Sequence, residues 1–356
     1  MSSAVVFGVM AAVQAVFLFL LFIFLAVRRR YDRQRQAAYL ASKASLSVPL
    51  RDWVVAGANP EALVAALRAL PKGTAVGYLA LLARQTITID QRDLLAVNLR
   101  KEPWIHDALA QRHSRYWWRR LEAARALSIL GTVDDQPAIA ALLRDEHPAV
   151  QVAAASALPR VADAAMLGLV VDEIFTLPKV VRQYVTSVLR ETRGMAGEAL
   201  TGRIANGTQM AELAAWIELA ASIDHPQAIA ASIPHATHRA PAVRRAVAKA
   251  LARHPGPDAA RTLVGLLKDT DFSVRALAAR GLGQLGSSTA VPALAPLLMD
   301  GVWQVRLRAA LSLAQLGERG RAALRAARDG NDRFAREMAT MVSGLTDGAV
   351  LELGDT

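Results

Sequence analysis

Cysteine occurs nowhere in the 356 residues. No disulfide staples the chain, and no thiolate is available to hold a metal. Aromatic residues are scarce at 5%, although 53% of the chain is hydrophobic. The apolar content is therefore mostly Ala, Leu and Val, a set that favours helices. Runs of strand-forming residues are nearly missing; residues 86–89 are the one short candidate. An all-α protein is expected. Catalytic patterns are missing too. The chain has no Gly-x-Ser-x-Gly elbow, no Gly-Lys-[Ser/Thr] phosphate loop, no His-Glu-x-x-His helix and no His-Glu dipeptide. Serine hydrolysis, P-loop nucleotide binding and helix-borne zinc lose their usual signals.

One long apolar run is present. Residues 4–27 contain one amide, Gln14, and no charge. A helix of that length, rising about 1.5 Å per residue, spans a hydrocarbon core of roughly 30 Å with some tilt. It lacks the basic lead and small-x-small cleavage site of a signal peptide. A retained transmembrane anchor is expected. Arg28, Arg29, Arg30, Arg33 and Arg35 follow at once, and basic residues beside a span stay cytoplasmic. The expected topology has residues 1–3 outside and everything after residue 27 in the cytoplasm. Residues 28–51 carry seven basic residues against Asp32, a net +6 out of the chain's formal +11. The basic balance thus belongs mainly to a membrane flank facing anionic lipid, and no nucleic acid is expected as a partner.

The rest of the chain repeats. Residues 266–286 (LLKDTDFSVRALAARGLGQLG) and 297–317 (LLMDGVWQVRLRAALSLAQLG) match at 11 of 21 positions with a shift of 31. A Val column runs Val150, Val181, Val243, Val274, Val305. The next position holds Arg120, Arg182, Arg244, Arg275 and Arg306, with Gln151 and Leu213 as exceptions. Further on lie Ala124, Ala155, Ala248, Ala279, Ala310, then Leu127, Leu158, Leu189, Leu251, Leu282, Leu313. Such a period marks a stack of repeats. Each unit is two short helices whose apolar stripe is buried only by a neighbouring unit. Asp145, Asp269 and Asp300 precede the second helix, where a carboxylate caps backbone N–H groups. Gly-x-Gly-x-x-Gly at 281–286 matches a dinucleotide fingerprint but sits at a helix end. One repeat later Gly281 becomes Ser312 and Gly283 becomes Ala314. Gly286 recurs as Gly317 and Gly131, read as left-handed helix terminators.

This pattern resembles HEAT repeats, in particular the short bacterial HEAT-like type. The resemblance covers about 103–345 and, more weakly, 50–100. It implies an α-solenoid of helical hairpins, and an Arg column paired with turn acids and helix ends. The lattice weakens at the unit centred on 212, with Glu212, Leu213 and Ile217, and at the last unit, where Phe334 and Arg336 imply a two-residue slip. The expected organisation is a transmembrane helix at 4–27, a basic juxtamembrane segment at 28–50, divergent helical pairs at 51–102, the period-31 array at 103–345 and a tail at 346–356.

Two sets of surface residues are candidates. Trp117, Phe272 and Trp303 share one repeat position, filled elsewhere by Pro148 and Pro241, and Tyr116 and Trp118 flank the first. They either close each turn by local packing or form a rim of aromatic anchors. Arg125, Arg245, Lys249, Arg280 and Arg308 lie between the buried stripes of the second helices. They are either ordinary solvated charge or a basic trough along the concave side. His235 and His238, near Asp224 and His225, read as a metal site or, preferably, as turn and capping residues. No catalytic residue, metal or cofactor is assigned. The expected function is a non-catalytic, membrane-anchored scaffold on the cytoplasmic side of a bacterial inner membrane. Its partner would be a protein such as a membrane enzyme or a secretion or polysaccharide-synthesis component. The alternative is an enzyme or chaperone like the phycobilin lyases that use HEAT-like repeats.

Overall fold

The computed structural model describes residues 44–355 apart from 56, 58, 83–87, 208 and 209, together with the isolated residues 21, 22, 29 and 41. The expected span at 4–27 therefore lies outside the described residues except for Leu21 and Phe22. Of Arg28, Arg29, Arg30, Arg33 and Arg35 only Arg29 is described, helical and exposed. Among the described residues no helix is long and apolar enough to cross a membrane. The regular structure of those residues is helical, with no strand among them. The strand candidate fails where it is described: Thr88 caps the helix Ile89–Leu99, accepting from Gln91 N while Gln91 Oε1 accepts from Thr88 N. A capping box competes with strand geometry and wins here.

The chain divides after Ala157 into two compact units. A physical cause lies just beyond. The second helix of that repeat breaks into Pro148–Ala155 and Leu158–Val161. Pro159 has no N–H to donate back to Ala155, and its ring opposes a continuous helix.

The first unit packs Trp53, Leu67, Leu79, Leu95, Leu99 and Ile105 against Ile129 and Leu130 of the helix Trp117–Leu130. Gln91 ties the 44–55 segment to the rest by donating to the carbonyls of Trp53 and Val54.

The second unit is a two-layer array. Its second helices lie side by side in chain order: Lys179–Glu191, Met210–Ile223, Pro241–Leu251, Phe272–Gln284, Trp303–Gln315 and Arg333–Ser343. The first helices of each pair form the other layer, among them Ala164–Glu173, Arg193–Asn206, Pro257–Leu266 and Gly317–Arg328. Every member of the Val, Ala and Leu columns is buried. Each such Val or Leu contributes about 1.5–3 kcal/mol by leaving water, and Ala at the fifth position lets neighbouring helices approach.

Two departures refine the lattice. In the helix Met210–Ile223 the buried residues are Leu213, Ile217 and Ala220, while Glu212, at the Val position, is exposed. A carboxylate does not enter an unpaired apolar stripe; Leu213, beside it at the Arg position, is buried instead, while Ile217 and Ala220 keep the Ala and Leu positions. In the last repeat Ala339 and Val342 take the buried positions, two residues early, as the slip at Phe334 implied. Residues 346–356, expected as a tail, instead contain the helix Asp347–Asp355.

The glycines of the 281–286 motif serve packing. A Cβ on Gly281 would meet Ala252 Cβ at 3.0 Å, and one on Gly283 would meet Ser312 Oγ at 2.7 Å. Gly286 and Gly317 do take left-handed backbone, with φ of 66° and 69°. Gly131 does not; its φ is −54°. There the guanidinium of Arg100 donates twice to the Leu130 carbonyl, so that buried helix end is satisfied without a left-handed turn.

Candidate protein-binding groove

The Arg column builds a ladder that fixes the turns. Arg120 meets Asp145 in the first unit, and Arg244 meets Asp269 and Arg275 meets Asp300 in the second, each pair 25 residues apart and bidentate at 2.5–2.9 Å. Each arginine also donates back to the carbonyl six residues earlier: Ser114, His238 and Asp269. Each aspartate accepts from the N–H two residues on: His147, Asp271 and Val302. Burial pushes these carboxyls up. The arginine and the backbone N–H outweigh it and hold all three below the usual carboxylate range. This pairing is what the HEAT resemblance implied.

The ladder has rules. Where Leu213 replaces Arg, the turn residue is His238, and its Nδ1 accepts from Ala240 N as the aspartates do. His225 likewise accepts from Ala228 N, and His235 Nε2 lies 2.8 Å from the Ile204 carbonyl. These histidines cap and tie turns, and no group of metal-ligating residues forms among the described residues. At the far end Arg306 has Asn331 where an acid would stand, and its guanidinium lies over the Phe334 ring at 4.7 Å.

The aromatic candidates are surface residues. Trp117, Trp118, Phe272 and Trp303 are between 39% and 51% exposed. In the first unit they form a cluster. Trp117 stacks flat on His147 at 3.8 Å, and Tyr116 stacks on Trp118 at 4.7 Å with the Arg115 guanidinium over its ring. His147 also caps the helix Pro148–Ala155, so the cluster has a fixed base. Phe272 and Trp303 belong to the second unit, each opening a second helix.

The basic candidates are sorted by the structure. Arg125 is in the first unit, half-buried on the helix Trp117–Leu130. Arg245 is turned to the turn of the next repeat, donating to Ser273 Oγ at 3.2 Å. Lys249 and Arg280 line an open groove of 710 Å³ on the second-helix layer. Beside it Arg308 donates to the Leu353 carbonyl at 2.6 Å. Burial, and secondly the charge of Arg280, lower its pKa.

The groove follows from the period. Glu218, Lys249 and Arg280 are one column at 31-residue steps, and Ser222, Arg253, Gln284 and Gln315 are another, four residues on. Positions i and i+4 share a helix face, so side-by-side helices present both columns together. Lys249 Nζ meets Glu218 Oε1 at 3.1 Å. Arg253, Arg280 and Arg308 are the other cations at this face. Sequence reasoning missed Arg253, Gln315 and Leu351; the first two were readable from the i+4 column, whereas Leu351 comes from the C-terminal helix. The walls are the cations Lys249, Arg253 and Arg280, the amides Gln284 and Gln315, Glu218, Ser222 and apolar residues.

Known proteins match in two ways. The HEAT-repeat family profile matches residues 198–273 and 263–343. Similar solved structures include an engineered protein, 18% identical over 91% of this chain and 96% of that one, with a TM-score of 0.34. Human deoxyhypusine hydroxylase is 19% identical over 76% and 96%, with a TM-score of 0.28. The CpcE–CpcF complex of phycocyanin lyase from Nostoc is 21% identical over 68% and 94%, with a TM-score of 0.29. Likeness of that degree carries no conclusion about activity. No curated protein matches the chain. Over residues 198–343, then, this chain is similar to HEAT repeats.

Proposed function

We propose that this protein is a non-catalytic scaffold, anchored in a bacterial inner membrane by residues 4–27, that holds a protein partner on the cytoplasmic side. The partner-binding surface is the groove of the second-helix layer. One observation carries the reading: two columns recurring at 31 residues place Lys249, Arg253 and Arg280 on one open face, with Arg308 beside it. A surface of this kind suits an acidic segment of another protein, steering its approach and fixing its register. HEAT repeats are consistent with that use. The anchor would place the partner at or in the membrane, and the charged flank beginning at Arg28 would set the orientation.

The test is recovery of partners from detergent-solubilised native membranes. Wild-type protein should bring down a stoichiometric membrane protein, and Arg280→Glu should lose at least nine-tenths of it. Trp117→Ala asks whether the aromatic cluster joins the contact. Equal recovery by wild type and Arg280→Glu contradicts the groove reading. Bound pigment, metal or turnover in the purified chain contradicts the non-catalytic one.

A further inference from the structure

The helix Asp347–Asp355 packs on Trp303–Gln315 and Phe272–Gln284, two of the helices whose faces form the groove. Leu351 is part of the groove wall. Val350 is buried, and a Cβ on Gly354 would overlap Gln315 Nε2, so the helix sits close. Arg308 donates to the carbonyl of Leu353, near the negative end of the helix, where a cation is favoured. Arg321 meets Asp347 at 3.0 Å. The segment's charged residues, Asp347, Glu352 and Asp355, are all acidic. Its sign is thus the complement of Arg253, Arg280 and Arg308.

The seating is also incomplete. Leu351 and Leu353 remain largely exposed, and nine residues form a helix that is marginal alone in water. An acidic, leucine-bearing helix lies lightly on a basic groove that extends beyond it.

We propose that Asp347–Asp355 is an intramolecular occupant of this groove, and that the partner presents an acidic, leucine-bearing helix that displaces it. The proposal rests on the scaffold reading and adds to it the chemistry of the partner and a built-in competitor. The chain's own helix lowers the affinity of any weak acidic peptide and lets a better match through.

The probe is a fluorescent peptide of residues 346–356, titrated into the full-length chain. Val350→Pro removes the N–H that bonds the Thr346 carbonyl and unseats the resident helix. Asp347→Lys with Glu352→Lys weakens the seat without touching a buried residue. Both variants should bind the peptide at least tenfold more tightly than wild type. Adding Lys249→Glu and Arg280→Glu should abolish the gain. Binding no tighter than wild type in both variants overturns the proposal, as does a gain that survives the groove reversals. Should Arg280→Glu lose the membrane partner while neither variant binds peptide better, only the competitor falls. Should Arg280→Glu keep the partner, the groove reading itself falls.

Discussion

At the scale of single residues, the turn aspartates do two tasks at once. Asp269 takes the Arg244 fork and caps the backbone at Asp271. Asp269→Asn keeps the shape but strands a largely buried guanidinium, which should cost on the order of 3 kcal/mol in thermal or denaturant unfolding. Acid should act the same way. A carboxyl held below its unfolded pKa of about 3.9 contributes stability above that pH and loses it as the pH falls through the folded value. Asp145, Asp269 and Asp300 are all of this kind. Unfolding monitored from pH 6 downward should therefore show stability flat to about pH 4 and falling steeply below it, with a smaller loss in Asp269→Asn. The acids before the second helices were legible from their place in the repeat. Their arginine partners were legible only through the HEAT resemblance, because a 25-residue offset has no local signal. Gly283 was legible as a non-nucleotide glycine, but its reason was not. It lies against Ser312, whose hydroxyl donates to the Ala279 carbonyl. Gly283→Ala should push those helices apart and cost roughly 1–3 kcal/mol.

At the scale of elements, the 31-residue period allowed the buried face of most second helices to be read in advance. Val274, Ala279 and Leu282 are all fully buried, and Leu282→Ala should destabilise by about 2–5 kcal/mol. The departures have local causes. Glu212 could not enter an apolar slot and is exposed, while Leu213 beside it is buried. Gly131 did not turn left-handed because Arg100, thirty residues earlier, already served the carbonyl. The helix Asp347–Asp355 escaped because its apolar residues, Val350, Leu351 and Leu353, read as a short unpatterned run; only a surface made of two other helices gives them a place. The basic candidates split for the same reason. A column position says which face a side chain occupies, not whether it reaches a groove, as Lys249 does, or the turn of the next repeat, as Arg245 does.

At the scale of the whole molecule, the proposed scaffold is a tether, a repeat array and a charged groove. Attraction between the groove and an acidic partner is screened over about 8 Å at physiological ionic strength. Partner recovery should accordingly fall as salt is raised from 0.05 to about 0.5 M, and fall less for a variant already lacking Arg253. The most direct measurement is in-cell crosslinking from a photoreactive residue at position 277, whose Leu lines the groove. The control is the same residue at position 299, where Met is exposed. The account predicts one crosslinked membrane protein from 277, absent from 299 and lost with Lys249→Glu and Arg280→Glu. The same products from both positions, or a product indifferent to the charge reversals, would contradict it.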